Sequence, residues 1–87
     1  MIYLVTANQQ LFNSEFYQII TVEQSLEILK TWPVIQYDSE TSGRDARVCK
    51  ILCIQFGNRA ADTQIVVDTL TINILYYKEI LETKLLI

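Results

Sequence analysis

Two carboxylates one residue apart are the side chains best suited to chemistry in this sequence. Asp38 and Glu40 end an apolar run that begins at Val34, and Gly43 follows shortly after. If residues 34–40 form a strand, the two carboxylates point to the same face, about 6.5–7 Å apart. Like charges on one face favour a divalent cation between them, and hard cations such as Mg²⁺ prefer carboxylate oxygens. The alternative is a polar strand end that faces solvent, since acidic side chains are mostly exposed.

Length, composition and charge limit the class of protein. The 87 residues suffice for one small domain, and 51% hydrophobic with 20% charged residues is typical of a folded chain. A net charge of −3 gives no general reason to expect nucleic-acid binding. Four cations nevertheless follow the acidic pair closely: Arg44, Arg47, Lys50 and Arg59. The first three either line a phosphate path or form a solvated rim.

Histidine is absent from the sequence, which excludes histidine-based triads and zinc sites within this chain. Cys49 and Cys53 are four residues apart, about 13 Å along a strand, which is too far for a disulfide. We expect two buried thiols in a reducing compartment. No apolar run approaches the roughly 20 residues of a membrane span, and the start lacks the positive charge of a signal peptide. The sequence therefore predicts a cytoplasmic protein without a membrane partner.

The first third of the chain contains the clearest local signal, a helix start. Thr21 and Gln24 match a capping box, and apolar residues then recur at helical spacing as far as Trp32. Pro33 disfavours helical geometry at the preceding residue, so the helix should end near Trp32. Short strands are predicted before it at 2–6 and 17–21, joined by a loop.

The remaining chain predicts a mixed sheet and a second helix. Strands at 34–40, 48–56 and 63–68 have short connections at 43–47 and from Gly57 onward, which favours an antiparallel meander. A helix over 71–83 should place Leu75, Tyr76 and Ile80 on its core face, with Tyr77 at the rim, and a further strand begins at 85–87. Asp68 ends the third of these strands, either as a turn or capping residue or as a further metal ligand. The fold class is α/β with a mixed sheet.

This order of elements resembles the 3'-5' exonuclease domain of family A DNA polymerases, within the DEDD exonucleases of the ribonuclease H-like fold. The resemblance covers residues 17–87, and residues 1–16 form an additional N-terminal strand and loop. Five segments carry it: Tyr-Gln-Ile-Ile-Thr-Val-Glu-Gln at 17–24, Tyr-Asp-Ser-Glu-Thr-Ser-Gly at 37–43, Ile-Leu-Cys-Ile-Gln-Phe-Gly at 51–57, Ile-Val-Val-Asp at 65–68 and Leu-Leu-Ile at 85–87. The second of these segments is similar to the family's first exonuclease motif.

The resemblance implies a two-metal phosphodiesterase that uses Mg²⁺ or Mn²⁺ at the 3' end of single-stranded DNA, as in proofreading. Asp38 would bridge both metals, and Glu40 would hold the metal that activates water. The backbone at Thr41 and Ser42 would lie against the terminal nucleotide. Arg44 stands where the family usually has a leucine that packs on the terminal base, and arginine could instead contact a phosphate.

The family's second and third motifs have no counterpart in the 87 residues. We therefore expect the chain to be the N-terminal part of such a domain, inactive or nearly so by itself, with unpaired strand edges that favour a homo-oligomer. Two alternatives stay open: a non-catalytic binding or assembly protein on the same fold, and an exoribonuclease of the same superfamily.

Overall fold

A computed structural model describes residues 1–41 and 51–86, with the backbone alone at residues 40, 41, 51, 52, 85 and 86. The elements in chain order are β1 (Ile2–Val5), β2 (Gln18–Ile19), α1 (Val22–Lys30), β3 (Val34–Thr41), β4 (Ile51–Asn58), β5 (Gln64–Asp68), a 3-10 helix (Ile74–Tyr77), α2 (Lys78–Thr83) and β6 (Leu85–Leu86). The predicted turn at 43–47 and the first three residues of the strand predicted at 48–56 lie outside the described residues.

The described strands form one mixed sheet in the order β2-β1-β5-β4-β3-β6, in which β2 and β6 are only two residues long. The predicted meander is confirmed, because β4 pairs antiparallel with both β3 and β5. The other pairs are parallel, so β4 alone among these strands runs against the rest. The α/β class with a mixed sheet is therefore confirmed. Gly57 and Asn58 belong to β4, so the turn begins two residues later than predicted.

Helix α1 begins at the predicted capping box. The Thr21 hydroxyl accepts a hydrogen bond from the Gln24 amide at 3.0 Å, and Gln24 Oε1 accepts one from the Thr21 amide at 2.9 Å. These two bonds satisfy amide groups that the first helical turn leaves unpaired. The helix ends at Lys30, with Thr31 as its C-cap, slightly before the predicted end near Trp32.

The core lies on one face of the sheet. Strand residues that alternate along the chain point to this face, and residues of α1, the 3-10 helix and α2 pack on it. Its buried apolar members are Val5, Ile20, Leu29, Ile35, Ile54, Phe56, Ile65, Val67, Tyr77 and Ile80. The opposite face, here called the open face, carries the intervening residues of the three central strands: Gln36, Asp38, Gln55, Gly57, Gln64 and Val66.

The second helix differs from the prediction at 71–83. A 3-10 helix occupies Ile74–Tyr77 before α2, and Asn73 caps it by accepting a 2.9 Å bond from the Leu75 amide. A 3-10 helix has three residues per turn, so its side chains fall out of the 3.6-residue phase. Leu75 is consequently 67% exposed, Tyr76 is 60% exposed, and Tyr77 is buried. The prediction that Leu75 and Tyr76 face the core is wrong.

Strand β1 occupies a position that the sequence did not predict. It lies parallel to β5 on one side and to β2 on the other, so it extends the sheet beyond the meander. The loop between β1 and β2 exposes two aromatic side chains, Phe12 and Phe16. Within the described ranges, neither α-helix has the length and apolar character that crossing a bilayer requires.

Candidate functional site

Asp38 lies in the middle of β3, on the open face of the sheet. Its register partner across the ladder is Gln55 of β4, and its side chain is exposed. Oδ1 accepts a hydrogen bond from the backbone amide of Ser39 at 2.8 Å. In the part of the chain that the structure describes, Oδ2 accepts no hydrogen bond. One carboxylate oxygen is therefore engaged by its own strand, and the described residues leave the other exposed without a partner.

The backbone of β3 changes register immediately after Glu40. Glu40 stands opposite Cys53, whereas Thr41 stands opposite Ile51, so β4 contributes one extra residue at this point. Such a β-bulge bends a strand locally and re-aims side chains, and bulges are over-represented beside active sites. The side chains of Glu40 and Thr41 are outside the described part of the chain, so the convergence of the two carboxylates stays a prediction.

Two further candidate residues, Ser42 and Arg44, lie outside residues 1–41 and 51–86. Their predicted contacts with a terminal nucleotide also stay predictions. Cys49 falls in the same gap. Cys53 is described as a free thiol and is only partly buried, so the prediction of full burial is wrong for this residue. It lies on the open face, where α1 and α2 do not cover it.

The geometry of Asp68 favours the turn and capping alternative over metal ligation. Its Oδ2 accepts hydrogen bonds from the hydroxyls of Thr6 at 2.7 Å and Thr71 at 3.0 Å. Its Oδ1 accepts the backbone amide of Leu70 at 3.1 Å. The carboxylate thus joins the end of β1 to the turn that follows β5, and both of its oxygens are occupied.

The chemistry of Asp38 Oδ2 suits a hard cation, because carboxylate oxygens are the ligands that Mg²⁺ and Mn²⁺ prefer. Among residues 1–41 and 51–86, however, no group of three or more His, Cys, Asp or Glu side chains comes together. The described residues therefore supply one suitable ligand. Glu40 is the predicted second.

A groove of about 510 Å³ opens on the sheet beside Asp38. It is lined by Gln36, Tyr37, Asp38, Gln55, Phe56, Gly57 and Gln64. The rings of Tyr37 and Phe56 belong to the core side, where their centroids are 5.7 Å apart, so these residues border the groove through their backbone. The polar side chains of the groove are three amides and one carboxylate.

The three glutamines of the groove were not predicted as site residues from the sequence. Gln36 and Gln55 interrupt otherwise apolar strands, and Gln64 begins β5, but nothing local indicates that the three share one face. For Gln36 and Gln55, the two-residue offsets from Asp38 and Gly57 were the available signal. Using that signal requires the pairing register of three strands.

In comparisons with known proteins, no protein-family model and no curated protein matches the chain.

Proposed function

We propose that the chain contributes the first carboxylate pair, Asp38 and Glu40, to a metal-dependent 3'-5' exonuclease site on a ribonuclease H-like sheet. The observation that carries the proposal is Asp38 itself. Its carboxylate is exposed on β3, has one oxygen that accepts no hydrogen bond from the described residues, and precedes a β-bulge by two residues. In this proposal residues 17–87 form the exonuclease part, and residues 1–16 add a strand and loop to it.

The order of the strands supports the same proposal. The meander β3-β4-β5 is followed by the 3-10 helix and α2, and then by β6. Strand β6 returns parallel to β3, with Val34 opposite Leu85 and Ile35 opposite Leu86. A meander, a crossover helix and a fourth strand are what the family resemblance implies, and β6 pairs with the start of the strand that carries the acidic pair.

In the proposed site, Asp38 and Glu40 would hold Mg²⁺ or Mn²⁺. Such ions would supply a water that ionises near neutral pH and would stabilise the attacking and leaving oxygens of an in-line displacement. The proposed substrate is the 3' end of single-stranded DNA. The backbone at residues 41 and 42 would contact the terminal nucleotide, and Arg44 would contact a phosphate.

Metal binding by Asp38 is the first test. Titration with Mn²⁺, followed by paramagnetic broadening of backbone amide signals, should broaden the signals of Asp38 and its neighbours in β3 before most others. Asp38→Asn should abolish this preference, because a neutral amide replaces the charged ligand. Asp62→Asn is the matched control, since Asp62 is exposed in the turn after β4. Equal broadening in the Asp38→Asn variant would contradict the proposal.

Nuclease activity is the second readout. We expect the 87-residue chain, incubated with 5'-labelled single-stranded DNA and Mn²⁺, to leave the DNA intact, because the family's second and third motifs are not in its sequence. Stepwise shortening that Asp38→Ala abolishes would contradict the expected inactivity while supporting the assignment of Asp38. The same assay with labelled RNA distinguishes an exoribonuclease.

One contact favours a second candidate, a non-catalytic binding or assembly protein on the same fold. The 2.8 Å bond from the Ser39 amide to Asp38 Oδ1 gives the carboxylate a structural role on β3. Charged side chains on an edge strand also commonly prevent pairing with a strand of another molecule. This candidate predicts that Mn²⁺ shows no preference for Asp38, so the metal titration separates the two.

A further inference from the structure

Three glutamine side chains surround a glycine on the open face, next to Asp38. Gln36, Gly57 and Gln64 are register partners across β3, β4 and β5, and Asp38 and Gln55 form the adjacent row. Neighbouring strands are about 4.8 Å apart, so the α-carbons of Gln36 and Gln64 are separated by roughly 10 Å. Gly57, the residue between them, contributes no side chain of its own, and the Gln36 side chain extends next to it.

The described residues do not engage the side-chain amides of Gln36, Gln55 and Gln64. Gln36 and Gln64 are exposed and Gln55 is partly buried. Within the described ranges, none of the three amides makes a hydrogen bond to protein. Each amide offers both a donor and an acceptor. The groove volume, about 510 Å³, falls in the range of small-ligand sites, roughly 300–1,000 Å³.

The chemistry of the described lining favours a base over a phosphate. Among the described residues, none that lines the groove is Lys or Arg, and Asp38 contributes a negative charge. A neutral planar ring with an adjacent donor and acceptor on its edge suits amide side chains, and glutamine pairs with adenine in this way. We propose that the groove holds the adenine base of a terminal nucleotide through the amides of Gln36, Gln55 and Gln64. This inference rests on the proposed function for the identity of the ligand.

The Gly57→Ala variant tests the groove directly. A Cβ at this position would lie 3.7 Å from Gln36 Cβ and 3.8 Å from Gln36 Oε1, which are ordinary contact distances. Gly57→Ala should therefore fold normally. The added methyl group would occupy the space between the amides and weaken binding of a ring there.

The test is a titration with 2'-deoxyadenosine in metal-free buffer, followed through the side-chain NH₂ signals of the glutamines. We expect the signals of Gln36, Gln55 and Gln64 to shift, and the signal of Gln18 on β2 to stay in place. N6,N6-Dimethyl-2'-deoxyadenosine, which lacks the donor on its edge, should bind on the order of tenfold more weakly. Ribose 5-phosphate, which carries sugar and phosphate without a base, should leave the three signals unchanged.

Variants complete the test. Gln36→Met and Gln64→Met should each weaken deoxyadenosine binding by roughly tenfold, and Gly57→Ala should also weaken it. Gln18→Met, which removes an amide from an exposed strand position outside the groove, is the matched control. Equal shifts with ribose 5-phosphate, or unchanged affinity in both glutamine variants, would overturn the inference. The deoxyadenosine titration contains no metal, so a negative result would not bear on Mn²⁺ binding at Asp38. Conversely, a negative Mn²⁺ titration would not bear on deoxyadenosine binding in the groove.

Discussion

At the scale of single residues, the hydroxyl of Tyr77 links two helical segments through a buried hydrogen bond. It lies 2.7 Å from Ser25 Oγ, and Ser25 Oγ donates to the Val22 carbonyl at 2.6 Å. Because Ser25 has a single hydroxyl proton, Tyr77 is the donor in the shared bond. The Tyr77 ring also packs on Phe56, with centroids 5.6 Å apart. Burial raises the pKa of Tyr77 above its ordinary value.

The Tyr77→Phe variant should lose stability in a pH-dependent way. At neutral pH the lost hydrogen bond should lower the free energy of unfolding by about 0.5–1.5 kcal/mol. The raised pKa means that the folded state holds the proton more tightly than the unfolded state. The contribution of Tyr77 is therefore complete below about pH 10 and decreases as the pH rises toward its folded-state pKa.

Urea unfolding at neutral pH and at about pH 10.5 measures this difference between wild type and variant. Tyr76→Phe is the matched control, because Tyr76 is 60% exposed, and its effect should stay within about 0.5 kcal/mol. A stability difference between Tyr77→Phe and wild type that is the same at both pH values would contradict the role assigned to burial.

At the scale of elements, α1 depends on its first turn. The helix has nine residues, which is short for independent stability, so the capping box and the buried Leu29 must compensate. Ser25, the other buried residue of the helix, is the partner of Tyr77. The cap therefore fixes the start of the helix so that Ser25 and Leu29 face the core.

Thr21→Ala should lower the free energy of unfolding by about 1 kcal/mol, within a range of roughly 0.5–2 kcal/mol. The physical reason is that the Gln24 amide loses its acceptor in the first turn. Thermal unfolding followed by circular dichroism provides the measurement. Thr83→Ala is the control, since its hydroxyl only donates to the Glu79 carbonyl within α2 and should be close to neutral. An equal loss in both variants would show that the cap has no special role.

At the scale of the whole molecule, the sheet is unequally covered. The helices pack on one face, and the open face holds the groove and Asp38. On the outer side of β3, β6 pairs only with Val34 and Ile35. Among the described residues, β3 has no partner on that side from Gln36 onward. An unpaired edge of this kind can accept a strand from a second molecule.

We therefore predict association that increases with protein concentration, measured by light scattering. Ser39→Pro should reduce it, because proline removes a backbone donor from this strand, and proline is tolerated on edge strands. The Ser39 amide donates to Asp38 Oδ1 in the wild type. Ser39→Ala is the control and should associate like wild type. The backbone amide spectrum verifies that both variants fold. A monomer at every concentration would refute the prediction.

The features that depend on neighbours within a few residues could be predicted from the sequence. The capping box at Thr21 and the meander of β3, β4 and β5 follow from local spacing, from strand alternation and from short connections. The acidic pair could be recognised as a candidate for the same reason. Its position on β3 depends only on the alternation of that strand.

The tertiary structure alone decided the features that depend on distant parts of the chain. The place of β1 beside β5 and the capping role of Asp68 require residues more than 60 positions apart to meet. The burial of Tyr77 depends on a 3-10 turn that its own sequence pattern did not distinguish from an α-helix. The amide groove requires the register of three strands, because a shift of one residue would move each glutamine to the opposite face.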